Sequence, residues 1–421
     1  MVRDDDHGDS KRRAFLKGTA VAATFGLSGC LGGGGGNGGD NGSGDGSGSE
    51  TTEASGGETT EASGGETTES TGDGTTPTSG EATETSGGET TETSGGTTGT
   101  AAQNTMTLQV NSPASEGSVH GDAGAWVGDI VSERTNGAIE IEAFRNSELG
   151  GQAQSVQDVS SGALDMYVIP YALTAIVDQR EAQVFDTPYM YDPDNPYEDI
   201  YEKTDPQDSE IAKRVIDNLA EQANIRSLGA VAQGTRRVSL TVPDGNEPPS
   251  NPDMLSNYTM RAVPISMYAE ALKGLGAQTT NIDFSELPQA LATGSVDGQE
   301  NPYNIILSSQ IYESQTHVIE TDHMHTPLAV LMNQGVFENL TGKQQQIFYD
   351  AVREIQPRAT ENLNQNIESI KRTLRDSGIT IVPPDEIEYD VYRSATRERI
   401  RNQFSDLTDT IESLAYDNYQ P

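Results

Sequence analysis

Cysteine and basic residues are both scarce in this chain. Its 421 residues include one cysteine, Cys30, which excludes an internal disulfide and a zinc site built from several cysteines. Lysine and arginine number 26 against 65 aspartates and glutamates, and the formal net charge is −39. Because contacts to phosphates need a basic face, this charge argues against nucleic-acid binding.

Familiar catalytic motifs are also missing. No cysteine follows residue 30, and the chain contains neither G-x-S-x-G nor H-E-x-x-H. His323 and His325 are two residues apart in a strand-like segment, a spacing more typical of structural histidines than of metal ligands. We therefore expect no enzyme activity, no metal and no cofactor.

An export signal is predicted in residues 1–30. Arg12 and Arg13 lie in a basic stretch (10–17), an apolar stretch follows (20–27), and Leu-Ser-Gly precedes Cys30. The apolar stretch is shorter than the roughly 20 residues that span a bilayer. This arrangement is typical of a signal peptide, and paired arginines indicate the Tat route. The end of the stretch resembles a bacterial-type lipobox, which predicts lipidation of Cys30 and a protein anchored by lipid to the outer face of the cell membrane.

Residues 31–104 form an acidic, low-complexity stretch. They include thirteen aspartates and glutamates and no lysine or arginine, and glycine, serine and threonine dominate. This composition cannot form a core, so we expect a disordered linker with a root-mean-square reach of about 45–50 Å. Concentrated salt would screen the charge of the whole chain. An acidic lipoprotein of this kind resembles those of haloarchaea.

The folded part begins near residue 105 and contains two halves of similar plan. Alternating apolar residues predict strands, and helical spacing that ends at glycine predicts helices. The first half is predicted as strand 107–111, helix 122–134, strand 139–144, helix 151–161 and strand 164–169. The second is predicted as strand 258–263, helix 266–274, strand 278–282, helix 286–293 and a strand from 296. This alternation is typical of a mostly parallel α/β sheet.

A C-terminal section follows the two halves. It is predicted as a long helix (342–377) that Pro357 bends or interrupts, a strand (379–382) and a mostly helical tail (386–419). The tail includes a run, 397–401, that we expect on a solvated face. Two α/β lobes on one exported chain predict a ligand cleft between them. We assign 105–233, with part of 327–365, to lobe one, and 234–326, with part of 366–421, to lobe two.

Motifs in both halves resemble one family. The most specific are F-S-E-L-P-Q-A-L (284–291) and T-G-S-V-D-G-Q-E-N-P (293–302). Shorter ones are S-E-L-G (147–150), S-G-A-L-D (161–165), M-R-A-V-P (260–264), L-G-A (275–277), Y-E (312–313) and T-D-H (321–323). Over about residues 105–380 they resemble the DctP-type solute-binding proteins of TRAP (tripartite ATP-independent periplasmic) transporters. The resemblance implies a two-lobed periplasmic-binding-protein-like fold with a hinged ligand cleft and a long C-terminal connecting helix.

The resemblance also implies a site for an organic acid. A guanidinium donates two parallel hydrogen bonds to one carboxylate, and Arg261, at the end of its predicted strand, is the first candidate. The alternative for Arg261 is an ion pair with a surface acid. Arg236 is implied as a second arginine, with its neighbour Arg237 as a rival. The family's usual Arg-Pro pair is replaced here by T-V-P (241–243), and the spacing between Arg236 and Arg261 is longer than usual.

Three further residues complete the implied site. Asn301 would donate its amide to the carboxylate, and Asn111 would contribute from the first strand. Phe284 would pack on the ligand body, with core packing as its alternative. In members that bind sialic acid, acidic residues recognise the sugar, whereas Gln152 and Pro170 occupy those positions here. A smaller mono- or dicarboxylate is therefore expected.

Together these features predict a function in transport. We expect an extracytoplasmic receptor that captures a small organic acid and delivers it to the membrane subunits of a TRAP permease. The alternative is a ligand-binding sensor module that signals to a membrane receptor, because both roles use the same binding physics.

Overall fold

The computed structural model describes residues 105–417 and residue 419. The predicted signal (1–30), with Cys30, and the predicted linker (31–104) lie outside these residues. Within the described residues, no helix has the length and apolar character needed to cross a membrane.

One mixed sheet organises the described chain. Its strands are β1 (Met106–Asn111), β2 (Ile139–Ala143), β3 (Met166–Pro170), β4 (Ile225–Leu240), β5 (Thr259–Ala262), β6 (Gln278–Asn281), β7 (Gly298–Pro302), β8 (His317–Asn333) and β9 (Thr380–Val382). They lie in the order β2-β1-β3-β8-β4-β7-β5-β6, and β9 pairs with β8.

Helices flank this sheet. They are α1 (Val119–Thr135), α2 (Gln152–Ser161), α3 (Pro196–Thr204), α4 (Glu210–Ala223), α5 (Pro252–Leu255), α6 (Ser266–Gly274), α7 (Leu287–Ala292), α8 (Tyr303–Ser308), α9 (Gln334–Glu338), α10 (Gly342–Asp376), α11 (Tyr389–Gln403) and α12 (Thr408–Leu414). Five 3-10 helices span Tyr171–Val177, Arg180–Asp186, Phe284–Glu286, Ile311–Ser314 and Pro384–Glu386 in the described residues.

The two predicted halves are confirmed as α/β units. β1 pairs in parallel with β2 and β3, and β5 pairs in parallel with β6 and β7. Gly162 ends α2 in the left-handed conformation at φ 83°, as expected for a glycine at a helix C-terminus. The predicted α/β fold with two lobes is therefore present.

Two long strands that the sequence did not predict join the halves. β4 and β8 run antiparallel to each other, and each also pairs antiparallel with a strand of one half, β8 with β3 and β4 with β7. The pairing of β4 with β8 is irregular at three places. Such irregularities break the alternation that marks a strand in sequence, which explains why these strands were missed.

The predicted boundary between 233 and 234 falls inside β4. The register shifts between Ala232 and Gly234, and Gly234 has φ +119°. A Cβ atom at Gly234 would lie 3.2 Å from Cβ of Pro302, so both the backbone angle and the space favour glycine. The assignment of residue ranges to lobes stays a prediction.

The long helix α10 continues through Pro357, so of the two predicted outcomes the interruption is wrong and the bend stays a prediction. Its start is fixed by a capping box between Thr341 and Gln344. Phe348 and Val352 lie in the largest hydrophobic core, whereas Leu374 lies in a separate core with α7 and α8. Because burial holds both ends of the helix, the hydrogen bond lost at the proline does not break it.

The predicted solvated face at 397–401 is wrong for Arg397. This residue is 3% exposed, and its guanidinium pairs with Asp417 and donates to the backbone carbonyl of Tyr189 at 2.8 Å. Arg397 thus ties the C-terminal segment to the rest of the fold.

Candidate ligand-binding site

A small cavity lies where the two halves meet. Residues from the first half line one side of it: Pro113, His120, Gln152, Pro170 and Leu173. Its other lining residues, from Gln233 onward, include four of the five predicted ligand-binding residues, Arg236, Arg261, Phe284 and Asn301. The free volume is about 20 Å³, room for about one water molecule.

Arg261 reaches this cavity from β5 and has no acid partner among the described residues. It is 1% exposed, and its Nε donates to the carbonyl of Ile282 at 2.8 Å. Its Nη2 is buried and has no hydrogen-bond partner among the described residues. Burial lowers the pKa of Arg261 to about 10; the charge of Glu300 opposes this change and that of Arg236 contributes to it. A buried cation with an unused donor is suited to receive an anion.

The surface ion pair considered as the alternative for Arg261 is therefore wrong. Its guanidinium carbon lies 5.9 Å from the ring centroid of Phe284, which places an aromatic face beside the cation.

Arg236 lines the same cavity but is already paired. Its Nη2 donates to Oε1 of Glu300 at 2.8 Å, and its Nε donates to Oε2 of that carboxylate. Burial disfavours the charged form of both side chains, but their mutual attraction favours it more strongly. The pKa of Arg236 is raised above its ordinary value, and that of Glu300 is lowered to about 2, with His323 also contributing. Arg236 and Glu300 together add no net charge to the cavity.

Arg237, the rival of Arg236, faces away from this cavity. Its guanidinium carbon lies 4.4 Å from the ring centroid of Tyr303, and its Nε lies 2.7 Å from Oδ1 of Asp322. It lines a separate groove beside α10, with a volume of about 310 Å³. Of the two arginines, only Arg236 lines the smaller cavity.

A hydrogen-bond chain extends from Arg236 across the cavity wall. Nη1 of Arg236 donates to Oε1 of Gln233 at 2.9 Å, and the Gln233 amide lies 2.9 Å from Nδ1 of His120. Nε2 of His120 lies 3.0 Å from the carbonyl of Val168. Burial lowers the pKa of His120 to about 4, so the imidazole is neutral at pH 7. The sequence carried no signal for Gln233 or His120.

Tyr268 and Asp186 lie behind Arg236. The hydroxyl of Tyr268 donates to Oδ1 of Asp186 at 2.7 Å, and the guanidinium carbon of Arg236 lies 4.9 Å from the Tyr268 ring centroid. The backbone amide of Ala172 donates to the other oxygen of Asp186 at 2.8 Å. Burial raises the pKa of Asp186 to about 7. No sequence pattern indicated Asp186, whereas Glu300 is the acidic residue of the D-G-Q-E-N-P motif.

The other predicted site residues differ in position. Asn301 is 3% exposed, and its side-chain amide donates to Oε1 of Gln299. Phe284 is half-buried, lines the cavity and packs against a core, and its predicted contact with the ligand body stays a prediction. Asn111 is not part of the cavity lining. Its Nδ2 donates to Oγ of Ser155 at 2.9 Å, and its role in binding stays a prediction.

The two histidines considered as metal ligands have other partners. Nδ1 of His323 lies 2.9 Å from Oγ1 of Thr321, and Nδ1 of His325 lies 3.0 Å from Oγ1 of Thr235. Across residues 105–417 and 419, no cluster of three or more histidine, cysteine, aspartate or glutamate side chains is arranged to hold a metal ion.

Comparisons with known proteins place the chain in a family. The model of the bacterial extracellular solute-binding protein family 7 (DctP) matches residues 110–406. A solute-binding protein of Verminephrobacter eiseniae is 27% identical over 293 residues, covering 67% of this chain and 81% of the relative. The C4-dicarboxylate-binding periplasmic protein DctP of Rhodobacter capsulatus is 26% identical over 260 residues, covering 62% of this chain and 74% of the relative.

Solved structures share the fold. A TRAP periplasmic solute-binding protein from Roseobacter denitrificans with bound L-galactonate superimposes with a TM-score of 0.66 at 23% identity, covering 74% of this chain and 99% of that one. A TRAP periplasmic solute-binding protein from a Polaromonas species, bound to D-erythronate, superimposes with a TM-score of 0.67 at 20% identity, covering 73% of this chain and 98% of that one. Since the family model spans most of the described residues, the chain belongs to the bacterial extracellular solute-binding proteins of family 7.

Proposed function

We propose that this chain is the extracytoplasmic receptor of a TRAP-type secondary transporter, binding a small organic acid and delivering it to the membrane subunits. The observation that carries the proposal is Arg261, a fully buried arginine whose Nη2 has no partner in the described residues. A ligand carboxylate supplies the missing acceptors, and charge-assisted hydrogen bonds in a dry site are stronger than neutral ones.

Binding then requires the cavity to open. Its free volume of about 20 Å³ is far below the roughly 300 Å³ of an ordinary small-molecule site. Movement of the two lobes about β4 and β8 would admit the ligand, and closure would exclude water around the ion pair. The closed form is the one that docks on the permease. A sensor role would use the same closure, but the family relatives favour transport.

The ligand class is tested by thermal shift. The purified chain, in buffered molar KCl, is screened against organic acids, neutral sugars and amino acids. Binding to the native state raises the melting temperature, by an amount equivalent to about 2.7 kcal/mol of stability at a hundred times Kd. A shift with carboxylates supports the proposal. Shifts confined to neutral sugars would contradict it.

We further propose attachment through lipidated Cys30 after Tat export, in an organism that lives in concentrated salt. The supporting features are the paired arginines, the Leu-Ser-Gly-Cys sequence and the net charge of −39. Cys30→Ser expressed in such a host moves the protein from the membrane fraction to the medium if the anchor is correct. Retention of the variant in the membrane fraction would contradict the anchor.

A further inference from the structure

We propose that the ligand is a compact monocarboxylate with a largely apolar body and one hydroxyl group, and that Gln152 recognises this hydroxyl. Dicarboxylates and polyhydroxylated sugar acids are then poor ligands. The inference rests on the proposed function and narrows its substrate class.

The charges at the cavity admit one carboxylate. Of its two arginines, Arg236 is neutralised by Glu300, and only Arg261 has no acid partner in the described residues. His120 lies at the same cavity, and its two ring nitrogens are engaged by Gln233 and by the carbonyl of Val168. A second ligand carboxylate would be buried without a cation, which is strongly unfavourable.

The walls favour an apolar ligand body. Pro113, Pro170 and Leu173 from the first half and Val263 and Ile305 from the second line the cavity. These side chains offer no hydrogen bonds. A sugar acid would bring several hydroxyls out of water against them, and each unsatisfied hydroxyl costs about 1–3 kcal/mol.

Most polar side chains at the cavity already make hydrogen bonds within the protein. The Tyr268 hydroxyl donates to Asp186, the Asn301 amide donates to Gln299, and Gln233 bonds to both Arg236 and His120. They hold the shape of the site and leave few groups for a polar ligand.

Gln152 is the exception. It lies at the first position of α2, is 6% exposed and lines the cavity. Its Oε1 is buried without a hydrogen-bond partner in the described residues. A buried acceptor in this state is costly unless a ligand satisfies it, and a hydroxyl is the simplest donor that an organic acid can bring. One unpaired cation and one buried, unpartnered amide acceptor thus point to a ligand with one carboxylate and one hydroxyl.

The test uses matched ligands on the full chain, with affinities from calorimetric titration in molar KCl. 2-Hydroxyisocaproate is compared with isocaproate, which lacks the hydroxyl, with 2-hydroxyglutarate, in which a carboxymethyl group replaces the isopropyl group, and with L-galactonate. Lactate and 2-hydroxyisovalerate, with malate as their dicarboxylate counterpart, extend the set to smaller sizes. The expected result is that an aliphatic hydroxy monocarboxylate binds at least tenfold more tightly than its dicarboxylate counterpart and than L-galactonate.

A variant separates the role of Gln152 from general packing. Gln152→Leu is expected to bind the hydroxy acid and its deoxy counterpart equally, whereas wild type prefers the hydroxy acid about tenfold. Gln157→Leu, at an exposed position of the same helix, is the control and keeps that preference. Tightest binding of a dicarboxylate or L-galactonate, or an unchanged hydroxyl preference in Gln152→Leu, overturns the inference and leaves carboxylate capture intact. Failure of every carboxylate to bind overturns the proposed function itself.

Discussion

Arg236 and Arg261 line the same cavity and are equally buried, at 2% and 1% exposure, yet they are in opposite electrostatic states. Arg236 is held by both oxygens of Glu300, whereas Arg261 donates only to a backbone carbonyl in the described residues. Two arginines that a family motif would give similar roles therefore differ in what they can do. One is neutralised by a carboxylate, and the other keeps a hydrogen-bond donor without a partner in the described residues.

The sheet produces this difference. β7 lies between β4 and β5, so an acid on β7 can reach an arginine on either neighbouring strand. Glu300 lies opposite Val238 in the ladder, two residues beyond Arg236, and its carboxylate is engaged by that arginine. Its charge still acts on Arg261 through space. The pairing of Arg236 with Glu300 is thus what leaves Arg261 without a counterion.

The largest expected effect comes from breaking the paired arginine. Glu300→Gln leaves the charge of Arg236 buried and unpaired, and we expect unfolding free energy to fall by about 3–5 kcal/mol in denaturant titrations. Glu368→Gln, at an exposed position of α10, is the control. Adding Arg236→Met to Glu300→Gln removes both charges and should recover much of the loss. If Glu300→Gln alone is as stable as wild type, the ion pair between Arg236 and Glu300 does not stabilise the fold.

Replacing Arg261, the unpaired arginine, should weaken ligand binding and leave stability unchanged. Arg261→Ala is expected to weaken carboxylate binding by more than tenfold, about 1.4 kcal/mol or more, without lowering the melting temperature of the ligand-free chain. Its stability is kept because the change removes a buried charge that lacks a counterion. Arg372→Ala, exposed on α10, serves as the control. Unchanged affinity for the carboxylate would remove Arg261 from the site.

Local patterns in the sequence were sufficient to predict the strands and helices of the two α/β halves. Alternation predicted β1 and β2, and Gly162 marked the end of α2, because these signals depend on nearby residues only. Four of the five candidates, which come from several separate motifs, lie at one cavity. Such motifs record which residues meet at a site, so they predict position well.

Long-range packing was beyond the same reasoning. The irregular pairing of β4 with β8, the continuity of α10 through Pro357 and the burial of Arg397 each depend on residues distant in sequence. The states of Arg236 and Arg261 belong to this group, since they follow from which arginine reaches Glu300. Both arginines could be identified from sequence motifs, but their different charge partners depend on the fold.

A smaller effect is expected from the second acid near Arg236. The pKa of Asp186 is raised to about 7 by burial, above its ordinary value of 3.8, so the folded chain binds a proton that the unfolded chain releases. This contribution to stability is full at low pH and is lost as pH rises from about 4 to about 7. Asp186→Asn should therefore gain about 1–3 kcal/mol relative to wild type between pH 5 and pH 8.

Unfolding titrations at several pH values measure this difference directly. Glu300 shows the opposite trend: its pKa is lowered to about 2, so it stabilises the fold above its ordinary pKa of 4.5 and less as pH falls toward 2. Both proteins contain Glu300, so the comparison of variant with wild type cancels this trend. A difference between the two proteins that does not change with pH would mean that Asp186 is ionised in the native state at pH 5, and that Arg236 is compensated by two acids.

The smallest effect tests what surrounds the unpaired arginine. Phe284→Leu removes the aromatic face beside Arg261, 5.9 Å from its guanidinium carbon, and keeps most of the apolar volume. A cation–π contact contributes about 0.5–1 kcal/mol when exposed and more when desolvated, but 5.9 Å is at the outer limit for such contacts, so we expect the lower range and a fall of about two- to fivefold in carboxylate affinity. Phe284→Tyr keeps the ring and should bind as wild type does. A loss of stability in Phe284→Leu with no change in affinity would assign the ring to core packing alone, and Arg261 would then bind its anion without help from an aromatic neighbour.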